Sequence, residues 1–123
     1  MAQLIQVTPQ GLYCPQGDFY VDPWGKVERA VVTHGHSDHA RLGSQRYFCS
    51  AASVPILQHR LPQAGEIRPL AFGETIQFGD ATVSLHPAGH ILGSAQVRIA
   101  AEGEVWVVTG DYKRCDDPTC EPF

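Results

Sequence analysis

THGHSDHA, residues 33–40, sets three histidines and one aspartate within the six positions from His34 to His39. The four residues before His34, AVVT, are apolar or β-branched, which reads as a strand covered on both faces that ends where the polar motif starts. In an extended backbone His34 and His36 project to the same side, so their imidazoles are placed to share one metal ion. A helix over Asp38–Gly43, with Ser37 as its N-cap, is expected next, turning Asp38 and His39 toward a second ion. The plain alternative is a polar loop of solvated histidines. Four ligand-type residues in this order favour the metal reading.

Two histidines do not close a zinc site, which takes three protein ligands and a water. Working outward, "HPAGHILGSA" places His90 behind a glycine, and "TGDYKR" places Asp111 behind Gly110 at the end of the apolar "VWVVT". That strand too reads as buried on both faces. Asp22, in "FYVDPW", ends a third apolar strand and is restricted by the proline after it. It reads either as a turn aspartate or as part of the site. Ser94 reads as one of a set of small residues packed closely under the site. His59 reads as a helix-surface residue and His86 as the end of a strand.

The rest of the chain is β-rich. Strands are expected at Leu4–Thr8, Leu12–Cys14, Phe19–Asp22, Arg29–Thr33, Tyr47–Cys49, Glu66–Pro69, Thr75–Phe78, Thr82–His86, Ala95–Ala101 and Val105–Thr109, and a helix at Ser53–Leu61. Gly79-Asp80 and Glu102-Gly103-Glu104 read as hairpin turns. With 123 residues, 43% of them hydrophobic and 18% charged, the composition is that of one ordinary globular domain. No apolar run is long enough to span a bilayer and MAQLIQVTPQ has no signal-peptide pattern, so no membrane partner and a cytoplasmic location are expected. Cys14, Cys49, Cys115 and Cys120 are irregularly spaced and read as free thiols. The net charge of −4 runs against a nucleic-acid partner until two divalent ions are counted, which would offset it at the site itself.

An aspartate after an apolar strand, then "HGHSDH", "AGH" and "TGD" in that order, resembles the first motifs of the metallo-β-lactamase superfamily. "AGHILGSA" followed by "TGDY" resembles its β-CASP nuclease branch. The tail "DYKRCDDPTCEPF" is similar to the bacterial ligase-associated DNA exonucleases, also described as similar to messenger RNA 3′-end processing factors. The resemblance implies an α/β fold, the αββα sandwich of that superfamily, with only its N-terminal half in residues 1–123. The β-CASP insert and the C-terminal half would be absent, and these residues alone are expected to be inactive. It implies two divalent metal ions, Zn expected and Mn admitted. His34, His36 and His90 would hold the first, Asp38 and His39 the second, and Asp111 would bridge them. Asp38, Asp111 and Asp22 are the implied catalytic carboxylates, Asp22 by accepting a ring N–H from a histidine ligand and setting its tautomer.

The function so implied is a metal-dependent phosphodiesterase, a DNA exonuclease of end processing or repair acting through a two-metal activated hydroxide. DNA is favoured over RNA as partner, with association with DNA ligase or other repair proteins implied by the family. Lys113 and Arg114 read either as phosphate contacts or as a solvated turn. Three alternatives stay open: an RNA-processing nuclease, a superfamily hydrolase of small thioesters or lactams, and a non-catalytic metal-binding module. A thioesterase of the glyoxalase II type would carry Thr-Pro-Gly-His-Thr where this chain has Pro-Ala-Gly-His-Ile, Pro87 to Ile91.

Overall fold

The computed structural model of the protein describes residues 4–36, 39–41, 43–61 and 66–110. Among these residues, ten strands and one short α-helix fall into three layers. The first sheet holds β1 (Gln6–Thr8), β2 (Gly11–Cys14), β3 (Phe19–Val21), β4 (Arg29–Val31), β5 (Arg46–Ser50) and β6 (Glu66–Leu70) in chain order. Its first three strands pair antiparallel, and β3 to β6 pair parallel. The second sheet is antiparallel throughout, in the order β10 (Glu104–Val108), β9 (Ala95–Ala101), β8 (Ala81–Pro87), β7 (Thr75–Phe78). All ten expected strands are present, with ends displaced by a few residues.

Alternation along the strands assigns each side chain to a layer. Val31 and Phe48 of the first sheet meet Phe78, Val83, Leu85, Val97 and Ile99 of the second in one buried core. On the opposite face of the first sheet, Ala30, Val32, Tyr47 and Cys49 pack against Leu57 and Leu61. Leu57 belongs to α1 (Val54–Arg60), which has Pro55 in its first turn and follows a 3-10 turn at Ala51–Ser53. Each fully buried aliphatic side chain in these cores contributes about 1.5–3 kcal/mol relative to exposure. Cys14 and Cys49 are buried free thiols; desolvation pushes both up, Cys49 to about 12, so they stay protonated at neutral pH.

Both hairpins form where expected. Glu102 and Gly103, with φ of 53° and 78°, join β9 to β10, and Gly79, at φ 55°, joins β7 to β8. Two expectations fail. The helix at Asp38–Gly43 lies partly outside the described residues, and His39, Ala40 and Gly43 form turn and bend instead, with Arg41 irregular. Among the described residues two bonds of helical type are made, from the His39 and Ala40 amides to the His36 carbonyl. Beyond them the buried Tyr47 hydroxyl holds the loop, donating to the Arg41 carbonyl at 2.6 Å and accepting the Ser44 amide at 3.0 Å. The second failure is β10. It is an edge strand, and Val105 and Val107 are each 51% exposed while Trp106 and Val108 face the core, so only one of its faces is covered among the described residues. No described helix is long and apolar enough to cross a membrane.

Candidate metal centre

The site is built where β4 runs out. The Val32 amide still pairs with the Phe48 carbonyl at 2.8 Å, and Thr33 and His34 follow, both fully buried. β3 ends at the same level in Asp22, a residue at φ 46° whose amide binds the Val31 carbonyl. That left-handed turn aims the Asp22 carboxylate back along β4. It accepts the Thr33 amide at 2.8 Å on one oxygen, and on the other the Thr33 hydroxyl and His39 Nδ1, each at 2.7 Å.

These bonds settle two ring orientations. The Thr33 hydroxyl spends its hydrogen on Asp22, so its contact with His34 Nδ1 at 2.9 Å is one in which the ring N–H donates. His34 then carries its lone pair on Nε2. A carboxylate only accepts, so His39 Nδ1 donates to Asp22 and its lone pair is likewise on Nε2. Thr33 is the functional residue that sequence reasoning passed over. The signal was a hydroxyl residue directly before the first histidine of the motif.

His90 arrives from the other sheet. The Ala95 amide donates to the Thr33 carbonyl at 2.8 Å, tying the start of β9 to the end of β4. The connecting loop closes on Ser94, whose hydroxyl accepts the His90 amide at 2.9 Å and the Ile91 amide at 3.2 Å. The Gly93 carbonyl in turn accepts the hydroxyls of Ser50 and Ser53 at the entrance to α1. Gly93, at φ 77°, allows this approach, since a Cβ there would run into the Ser53 backbone and side chain. Ser94 is therefore more than a small packing residue, because it holds the His90 loop in shape. Gly35 lets the His34–His36 segment cross α1; a Cβ there would strike Ile56.

The four imidazoles form one cluster. Ring centroids lie 4.8 Å apart for His34 and His36, 5.0 Å for His34 and His90, 4.9 Å for His36 and His90, and 4.2 Å for His34 and His39. One nitrogen from each of His34, His36 and His90 falls within 4.8 Å of the others, and His90 Nε2 is 3.3 Å from His36 Nδ1. Tetrahedral zinc with nitrogen ligands at 2.0–2.1 Å separates those nitrogens by about 3.3 Å, so the donor set fits such an ion in kind, and the His36–His90 pair has its spacing. Asp38 and Asp111 lie outside the described residues. Gly110, just before Asp111, sits at φ 58° directly against the Thr33 side chain. A cleft of about 280 Å³ opens beside Asp22 and His39, lined also by Leu12, Trp24 and Val108.

By name, the curated relatives are nucleic-acid enzymes. The chain is 38% identical over 114 residues to a probable DNA ligase of Opitutus terrae, matching 91% of this chain and 11% of that protein. It is 29% identical over 136 aligned residues to a ribonuclease of Thermus thermophilus (85% of this chain, 31% of that protein). An RNase of Saccharolobus solfataricus is 27% identical over 125 residues (80% and 25%). The chain thus spans between about a tenth and a third of the length of these relatives. Among solved structures, a protein of unknown function from Enterococcus faecalis shares the fold over 70% of this chain and 25% of that one, at a TM-score of 0.61 and 20% identity. No family model matches.

Proposed function

We propose that this chain carries the metal centre of a metal-dependent nuclease of the metallo-β-lactamase superfamily, β-CASP type. The observation that carries the reading is the convergence of His34, His36 and His90, from two different sheets, on one ion-sized space. The names of the relatives support a nucleic acid as substrate. In this reading residues 1–123 are the N-terminal part of the αββα sandwich, in a cytoplasmic enzyme with no membrane partner.

Two divalent ions are proposed, Zn first and Mn as an alternative, and when bound they would supply Lewis acidity and lower the pKa of water so that hydroxide, the nucleophile toward phosphorus, is available near neutral pH. His34, His36 and His90 hold one ion. Asp38 and His39 would hold the other, and Asp111 would serve both. Asp22 acts through its neighbours: it accepts hydrogen bonds from the Thr33 hydroxyl and the His39 ring N–H, and so fixes the nitrogen that each of His34 and His39 offers. Ser94 keeps the His90 backbone from drifting off the centre.

DNA is the proposed substrate, cut exonucleolytically in end processing or repair alongside a ligase. The likeness to a named DNA ligase supports that choice. An RNA substrate is the second reading, favoured by the two relatives named as ribonucleases. The test is to express the complete open reading frame that encodes this chain, load it with Zn or Mn, and assay end-labelled single-stranded DNA, RNA of the same sequence, and a small thioester. Metal-dependent shortening of DNA, faster than of RNA, is expected. Faster RNA cleavage would move the assignment to the second reading, and turnover of the thioester alone would overturn both.

A further inference from the structure

The end of the first sheet away from the histidines carries a different chemistry. β4, β5 and β6 all begin there, and register places Arg29, Arg46 and Glu66 in one row, with Val31, Phe48 and Arg68 in the next row on the same face. Val31 and Phe48 belong to the core between the sheets, so this face is the inner one. The arginines therefore stand at the mouth of the gap between the two sheets, with the Arg29 guanidinium carbon 6.0 Å from the centre of the Phe78 ring. They surround a cavity of about 340 Å³ lined also by Gln77, Phe48 and Phe78. No carboxylate is among its described lining residues.

This concentration of charge runs against the chain as a whole. Of nine lysines and arginines in a chain of net charge −4, three face this one cavity. Arg29 and Arg46 are direct neighbours across the β4/β5 ladder, an arrangement that costs stability when nothing anionic lies between them. Internal compensation is weak. Arg46 reaches Glu66 only at 3.8 Å with both side chains about half exposed, Arg29 reaches the Gly17 and Asp18 carbonyls at 3.4 Å, and Arg68 has no ion pair among the described residues. Guanidinium groups present fixed, planar pairs of donors that match phosphate oxygens, and several around one recess suit a multiply charged oxyanion.

We propose that this cavity is an oxyanion site for consecutive phosphate groups, provided either by the backbone of a nucleic-acid strand or by a free oligophosphate. It lies at the opposite end of β4 from His34, five residues or roughly 16 Å away at strand rise, and so is separate from the metal centre. The strand as natural ligand rests on the nuclease reading, whereas the oxyanion site does not.

The experiment titrates inorganic triphosphate into the complete protein stripped of divalent ions, as wild type and as Arg46→Gln/Arg68→Gln, read by calorimetry and by Tm. Wild type binds triphosphate and gains Tm, and the double variant binds at least about tenfold more weakly. Without ligand, the variant melts no lower than wild type, because the like-charge contact is relieved. In a second arm, a single-stranded oligonucleotide loses affinity in the variant, and its salt slope falls by about 1.4 for two lost phosphate contacts. Triphosphate loss without oligonucleotide loss supports the site and assigns it to a free oligophosphate. Equal binding of triphosphate by both proteins, or by neither, overturns the site. A metal-loaded wild type that cleaves no phosphodiester would count against the nuclease reading alone.

Discussion

His34 and His90 reach the same centre by opposite means. His34 is delivered by a strand: it follows Val31, Val32 and Thr33 out of the middle of a six-stranded sheet, is fully buried, and has its ring nitrogen held by Thr33 and, through it, by Asp22. His90 is delivered by a loop and is only partly buried; its backbone amide binds the Ser94 hydroxyl, and the Ser94 amide and carbonyl close the same loop on the Ile91 carbonyl and the Ala88 amide. A ligand on a buried strand inherits rigidity from the core. One on a loop needs dedicated hydrogen bonds, and these are the places where single substitutions should discriminate.

The largest effect is expected from removing a ligand outright. His36→Ala should strip most of the metal retained through gel filtration and, in the complete protein, lower the proposed phosphodiesterase turnover by more than the 10–100-fold typical of losing a ligand's hydrogen-bond partner. Retention of wild-type metal by a folded His36→Ala protein would remove the ground for comparing His34 with His90 at all. Next comes the strand route. Asp22→Asn keeps the shape but replaces one of the two oxygens that serve three donors with an NH2 group, so metal affinity should fall about 10–100-fold, measured by competition with a chelator of known affinity.

The loop route is expected to fail more gently and in a different currency. Ser94→Ala leaves the His90 and Ile91 amides without their acceptor, which should cost about 1–3 kcal/mol in denaturant unfolding. Its metal affinity should drop less than that of Asp22→Asn. The reverse order would mean that the loop, not the strand, positions the centre. The smallest effect belongs to β10: Val107→Ala, on the exposed side of an edge strand, should stay within about 0.5 kcal/mol of wild type. Val31→Ala in β4 removes part of a buried side chain worth about 1.5–3 kcal/mol.

That last pair also marks how far the sequence could be read. Short apolar runs between turn residues gave the ten strands, since alternation and glycine placement are local properties. "AVVT" and "VWVV" look alike by composition, yet one lies in the interior of its sheet and the other at an edge. Strand order depends on pairing between distant segments, which composition does not carry. The Asp38–Gly43 helix was expected from a local cap, but Tyr47, several residues later, holds that loop by its hydroxyl. The histidine motif was visible because ligand residues gather within a few positions. Thr33 and Ser94 were undervalued because a hydroxyl shows its use only when its partner is known. Asp38 and Asp111 lie outside the described residues, so their part in the centre rests on the motif alone.

The central claim is that His34, His36 and His90 hold one divalent ion, and X-ray absorption at the zinc edge of protein loaded with one equivalent tests it directly. The account predicts a nearest shell of nitrogen and oxygen at about 2.0–2.1 Å with multiple scattering from three imidazoles. In His90→Ala that imidazole signal should fall by one ring. A shell without imidazole scattering, or one that His90→Ala leaves unchanged, would contradict it.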